Sequence, residues 1–323
     1  MRHRRWVWPL FAGLLLVTAV GWGAAVSVSD GGAGDDGASA EPGQVQWSDK
    51  PGKAAGAKPT RSAAPTPTAT APKAPDVPHR VLYLGDSLAM ETQNELGSWL
   101  RRTGAAYRSE PVGGTTLCDY IQGRKGDSLV KARQKAAALV ASEKPGVVVM
   151  QFWGNAWGYT PCMDNIKWGT QEYYDRYAAD ARALTEQIED AAKEAGTPRP
   201  RIVWVLQPPD ALNPARTDGV NDIYRRQAKA ARDLTADVGK RLGGPDGKWA
   251  EQVDCDAYEQ SHGLCKNGRA ALHRSDDPQH FCLAKPVEGG RPCPVDSPGI
   301  TRYSRVVTAT VDGYFKPSSS GSR

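Results

Sequence analysis

No block of lysine and arginine interleaved with aromatic residues occurs in this chain; its basic residues are scattered and its formal net charge is only +5. A nucleic-acid partner is therefore not expected. No internal repeat is found, which excludes an array of stacked units. Histidine is scarce, five in 323 residues, so imidazole chemistry has few candidates. His3 lies in the amino-terminal segment and His79 at the edge of the folded part, leaving His262, His273 and His280. No cysteine closely follows the amino-terminal apolar run, which disfavours a lipid-attached form.

What is present is ordinary for a soluble globular chain with something appended: 24 % charged and 40 % hydrophobic residues. Arg2, Arg4 and Arg5 precede an apolar run from Trp6 to about Ser29. Residues 1–29 read as a signal peptide or a signal anchor. The small residues Ala24 to Ser27 suit cleavage, while the length approaches the roughly 20 residues that span a bilayer. Any membrane association is expected through this segment alone. Residues 30–78 are rich in Gly, Ala, Pro, Ser and Thr, cannot bury a core, and read as a disordered spacer. A folded domain is expected over 79–316, with a disordered tail at 317–323. Export implies an oxidising compartment. The six cysteines, Cys118, Cys162, Cys255, Cys265, Cys282 and Cys293, then read as three disulfides. Six cysteines allow 15 pairings. Nearest-neighbour pairing is expected: Cys118 with Cys162, Cys255 with Cys265, Cys282 with Cys293. Metal ligation by Cys255, His262, Cys265 and His273 is the competing arrangement. The even cysteine count in an exported chain disfavours it, and no metal or cofactor is expected.

Within the domain, short apolar runs alternate with helical stretches. Strands are expected at Val81–Leu84, Ala106–Val112, Val147–Phe152 and Arg201–Leu206, with a fifth around Trp249–Asp254. Helices are expected from Leu88, then over Ser128–Ser142, Gln171–Ala195, Asp222–Leu242 and Thr301–Tyr314. This rhythm argues a parallel sheet with helices on both faces, and ligands on such sheets bind at the carboxyl ends of the strands.

Four features at those ends carry candidate chemistry. Ser87, in Gly85-Asp86-Ser87-Leu88, sits on the turn between the first strand and a helix. There a helix N-terminus favours developing negative charge. The same tetrapeptide recurs at Gly126–Leu129 in polar surroundings, where Asp127 or Ser128 reads as a helix N-cap. Gly113-Gly114 follows the second strand and lets backbone N–H groups approach a ligand, although an ordinary turn reads the same. Asn155, after the third strand, can turn a side-chain amide into the same cleft or simply form a turn. Asp277 and His280, before the last helix, can place an imidazole with its carboxylate on one loop. Trp153, Trp157, Tyr159 and Trp168 cluster near Asn155 and suit either a sugar- or acyl-facing wall or core packing.

Taken in order, Gly-Asp-Ser, Gly, Asn and Asp-x-x-His resemble the SGNH (GDSL) hydrolase superfamily over the whole domain. The resemblance and the strand rhythm together give the expected fold class, α/β: a flavodoxin-like three-layer α/β/α sandwich with a mainly parallel sheet of about five strands. The resemblance implies Ser87 as nucleophile and Asp277 and His280 as its catalytic partners. Ser87, Gly114 and Asn155 would be the oxyanion donors, with Gly113 competing for the glycine. The family's Gly-x-Asn is not kept, because Trp153 stands where that glycine would be. The Cys118-Asp119 and Pro161-Cys162 segments resemble an extracellular, actinobacterial-type branch. The G-x-S-x-G turn of α/β-hydrolases is absent.

The expected function is an exported or envelope-bound serine esterase. Its substrate would be a small ester or an acylated glycan, for instance one bearing O-acetyl groups, and the protein a monomer. Acyl transfer to a sugar through the same residues, or a non-catalytic envelope binding module, are the alternatives.

Overall fold

The computed structural model describes residues 77–124, 127–156, 160–285 and 292–316. The expected export segment, most of the spacer and the tail lie outside them. Among the described residues no helix is long and apolar enough to cross a membrane.

Elements run in the order β1 (Arg80–Gly85), α1 (Ser87–Arg102), β2 (Ala106–Ser109), α2 (Leu117–Tyr120), α3 (Ala136–Glu143), β3 (Val147–Gln151), α4 (Gln171–Glu194), β4 (Arg201–Leu206), α5 (Pro214–Ala231), β5 (Leu234–Asp237), α6 (Gly239–Leu242), β6 (Gln252–Asp254), α7 (Ala257–Ser261), β7 (Arg269–Ala271) and α8 (Pro298–Phe315). The first five strands form one sheet, ordered β2-β1-β3-β4-β5, with every pairing parallel. The order reverses at β1/β3, which opens a crevice at the carboxyl ends of those two strands.

Strand side chains alternate between two apolar layers. Leu82, Leu84, Val148, Met150 and Trp204 pack on α3, α4 and α5. Val81, Tyr83, Val147, Val149 and Val203 pack on α1 and α8. The sheet is covered on both faces, as a three-layer α/β/α sandwich requires.

Three elements differ from expectation. Trp249–Asp254 supplies no sheet strand; Gln252–Asp254 pairs antiparallel with β7 in a separate ribbon. The fifth sheet strand is Leu234–Asp237, inside the helix expected over Asp222–Leu242. Arg232 at φ 56° ends α5, and the Asp233 N–H turns back to the Ala228 carbonyl at 2.7 Å. The helix expected over Ser128–Ser142 begins only at Ala136. Extended backbone at Lys135 (ψ 152°) breaks it, so neither Asp127 nor Ser128 caps it.

Disulfides join Cys118 to Cys162, Cys255 to Cys265 and Cys282 to Cys293, as expected and as suits an oxidising compartment. Loops of 44, 10 and 11 residues stabilise by about 3–4 kcal/mol each on chain-entropy grounds. The metal arrangement fails at its ligands: Cys255 and Cys265 are bonded to each other, and the His262 ring stacks on Tyr258 at 3.8 Å.

Candidate active site

The site is built where β1 and β3 end. Gly85 is confined by close approach: a Cβ there would lie 2.1 Å from the Gln151 carbonyl oxygen and 2.6 Å from the Ala89 Cβ. The chain then turns into α1. Asp86, fully buried, caps this helix by accepting from the Leu88 N–H at 3.0 Å. Its other oxygen accepts from the Trp153 N–H at 2.5 Å. One carboxylate thus ties the serine turn to the segment after β3. Burial pushes the Asp86 pKa up to about 6, against the two backbone N–H bonds and the His280 charge.

Ser87 opens α1 and its Oγ lies 3.0 Å from His280 Nε2, across 193 residues of sequence. His280 Nδ1 lies 3.1 Å from each oxygen of Asp277. A carboxylate can only accept, so Nδ1 carries the proton and Nε2 presents its lone pair to the serine hydroxyl. Asp277 also accepts from the His280 and Gln279 N–H groups at 3.2 and 3.3 Å. Burial acts to raise the Asp277 pKa, but hydrogen bonding and the charge of His280 outweigh it and hold it at about 2. Burial acts to lower the His280 pKa, but the Asp277 hydrogen bond and the charges of Glu91, Asp277 and Asp86 leave it raised.

The loop carrying the imidazole is held at several points. His273 Nδ1 donates to the His280 carbonyl at 3.0 Å. Trp249 Nε1 donates to the Pro278 carbonyl at 2.9 Å. Arg274 donates to the Cys282 and Ala284 carbonyls at 3.0 and 2.6 Å, and its guanidinium lies 3.3 Å from Asp277. Glu91 accepts from the Phe281 and Cys282 N–H groups.

The two expected oxyanion loops meet beside Asp86. Gly114 has φ 75°, a conformation that favours glycine, while Gly113 is the more exposed of the pair. Thr115, which follows, donates to the Val112 carbonyl at 2.7 Å. Asn155 is 3 % exposed; its Nδ2 donates to the Thr115 carbonyl at 2.9 Å and lies 3.4 Å from Asp86 Oδ2. The Cys118–Cys162 disulfide links the chain beyond these two loops.

Sequence reasoning missed the tether formed by Asp86 and the supports Glu91, His273, Arg274 and Trp249. The readable signal for Glu91 was a carboxylate on the buried stripe Leu88, Glu91, Thr92, Leu96 of α1. Trp153 is core rather than wall: its ring is buried beneath the Arg216 guanidinium, 3.4 Å from the ring centroid. At the site its backbone N–H bonds to Asp86, a role that a residue other than glycine can fill. Trp168 is 40 % exposed; Trp157 and Tyr159 lie outside the described residues.

The described residues of the second Gly-Asp-Ser-Leu, 127–129, have other surroundings. Ser128 Oγ lies 3.0 Å from the Asp119 carbonyl and accepts from Lys135 Nζ at 3.0 Å.

A family model described as "Protein of unknown function (DUF459)" matches residues 80–281. No curated protein matches the chain. Among solved structures, the chain is similar to a lipase/acylhydrolase from Enterococcus faecalis, at 14 % identity and TM-score 0.42, over 75 % of this chain and 99 % of that one. It is similar to an acetylxylan esterase from Geobacillus stearothermophilus at 14 % identity and TM-score 0.41, over 73 % and 96 %. A GDSL-like lipase from Bacteroides thetaiotaomicron is similar at 11 % identity and TM-score 0.36, over 74 % and 88 %.

Proposed function

The chain belongs to the DUF459 family, and from that premise and its own site we propose that it is a serine esterase of SGNH type. The observation that carries this is the unbroken line Ser87 Oγ, His280 Nε2, His280 Nδ1, Asp277 at 3.0 and 3.1 Å. A serine hydroxyl is a weak nucleophile until a neutral base faces it.

In this mechanism Ser87 Oγ bonds to the ester carbonyl carbon while its proton passes to His280 Nε2. Asp277 stabilises the imidazolium without itself taking the proton. The carbonyl oxygen becomes an oxyanion held by N–H groups of Ser87 and Gly114 and the Asn155 amide. In the present geometry Asn155 donates to the Thr115 carbonyl, so this role requires the amide to share or exchange that partner. The carbon–oxygen bond to the alcohol breaks as His280 returns the proton to the leaving oxygen. Water then attacks the acyl carbon, gives a proton to His280, and Ser87 leaves as the hydroxyl.

The substrate class we propose is O-acyl groups on envelope glycans. Its support is the expected amino-terminal export segment and long spacer, together with disulfides suited to an oxidising compartment. Purified protein assayed on short-chain p-nitrophenyl esters and on acetylated glycans tests this. Hydrolysis that Ser87→Ala abolishes supports the reading. Activity surviving in Ser87→Ala, or a wild-type protein that neither turns over esters nor reacts with a fluorophosphonate probe, overturns it. Recovery of the acyl group on an added sugar rather than in water would reassign the same chemistry to transfer.

A further inference from the structure

One buried carboxylate has no part in the mechanism above. Glu91 lies on α1, one turn beyond Ser87, and is 7 % exposed. Its Oε1 accepts from the Phe281 N–H at 2.9 Å and its Oε2 from the Cys282 N–H at 3.0 Å. Its backbone carbonyl accepts from the Cys293 N–H at 3.2 Å. Both ends of the Cys282–Cys293 disulfide are thereby fastened to one residue of the serine's helix. Phe281 and Cys282 directly follow His280. The supports from His273, Trp249 and Arg274 brace the histidine loop from its own side; Glu91 joins it to α1.

Two N–H donors aimed at two separate oxygens require a carboxylate, since an amide would set its NH₂ against one of them. A carboxylate taken out of water is unfavourable unless so bonded, and burial pushes the Glu91 pKa up to about 7 against the His280 charge and these two bonds.

We propose that Glu91 is a positioning residue that sets the distance between Ser87 and His280, by holding the backbone after the imidazole to the helix that carries the nucleophile. The proposal rests on the esterase reading for its kinetic consequence but not for its structural one. An α-helix is stiff over one turn, so a loop fixed at Glu91 moves with Ser87. Displacing a catalytic group by about 1 Å is enough to lower a rate about 10²-fold. The negative charge has a second effect, since it is one of the charges that raise the His280 pKa. The titratable and charged groups around the pair are Asp277 and His280 on the loop, His273 and Arg274 ahead of them, Asp86 before α1, Glu95 on α1, and Asp296 before α8.

The test uses the folded protein and the variant Glu91→Gln, compared by kinetics across pH and by NMR. In the variant, kcat on a short-chain ester is expected to fall about 10²-fold with KM little changed. The acid limb of kcat/KM is expected to move to lower pH. By NMR, the Phe281 and Cys282 amides should lose protection from exchange and the His280 imidazole should titrate at lower pH. These NMR changes are read even in a protein that hydrolyses no ester, so failure of the esterase reading is separable from failure of this one. Folded Glu91→Gln with unchanged amide protection and unchanged His280 titration overturns the proposal. If Glu91→Gln does not fold, Glu91→Asp takes its place, keeping the charge but shortening the reach. Lowered kcat with the His280 titration retained then supports the proposal, and wild-type kcat overturns it.

Discussion

Gly-Asp-Ser-Leu stands at residues 85–88 and again at 126–129, and the two copies meet opposite surroundings. Asp86 and Leu88 of the first are 0 % and 1 % exposed, whereas Leu129 of the second is 41 % exposed. The first serine faces an imidazole at 3.0 Å; the second is tied into a polar turn with Asp119 and Lys135. Asp86 bonds forward into its helix and sideways to the chain after β3. What separates the copies is the buried parallel strand ahead of Ser87. It delivers the turn to the crevice where β3 also ends and where the loop before α8 arrives.

The sharpest test of this contrast is the serine itself. Ser87→Ala should lower ester hydrolysis by about 10⁴-fold or more, measured as kcat/KM, while the melting temperature stays near wild type. A loss that instead follows Ser128→Ala would invert the assignment of the two copies.

The next effect in size concerns the loop after β3, which the first copy touches through Asp86. If Asn155 turns its amide to the oxyanion, Asn155→Ala should lower kcat by about 10²–10³-fold, a range set by the loss of one such donor. If the amide serves only to join Thr115 and Asp86, the variant will melt earlier and keep most of its kcat.

Strands β1, β3 and β4 were legible because strands covered on both faces read as apolar runs, as Val81–Leu84, Val147–Met150 and Ile202–Leu206 do. The two four-residue edges were less legible: β2, Ala106–Ser109, is shorter than the strand expected over Ala106–Val112, and β5, Leu234-Thr235-Ala236-Asp237, was not expected. Nothing apolar distinguishes it from the helices on either side. At the site, Ser87, Asp277 and His280 could be found because motif and strand context agree within a few residues. Glu91 could not be assigned a role, because its partners Phe281 and Cys282 lie 190 and 191 residues away. Local pattern shows only an ill-placed charge on an apolar stripe. Asp86 was visible as a letter of the motif, but its bond to Trp153 depends on how two strand ends meet.

A smaller effect is expected in stability against pH. Asp86 and Glu91 have folded pKa values raised to about 6 and about 7. A raised folded value means a contribution present below the unfolded pKa and lost as pH rises through the folded one. Stability should therefore fall between about pH 4 and pH 7. His280, also raised, adds to the fall above its ordinary value, and Asp277, held at about 2, acts only in strong acid. Activity should run the other way, rising with pH as His280 loses its proton. Asp86→Asn should flatten the stability slope by about 1–3 kcal/mol across this range. Denaturant unfolding of wild type and variant at a series of pH values reads this.

The smallest effect belongs to the second serine. Ser128 Oγ accepts from the Val130 N–H at 3.2 Å and from Lys135 Nζ at 3.0 Å. Lys135 in turn reaches the Asp119 carbonyl at 2.7 Å. These are hydrogen bonds at the rim of a solvated turn, where water replaces a lost partner at little cost. Ser128→Ala should then lower stability by about 1 kcal/mol or less and leave kcat and KM on a short-chain ester at wild-type values. A larger stability loss would mean that the turn, through Asp119 at the start of α2, helps to hold the Gly114 loop. The two copies of the tetrapeptide would then be coupled through that loop rather than independent.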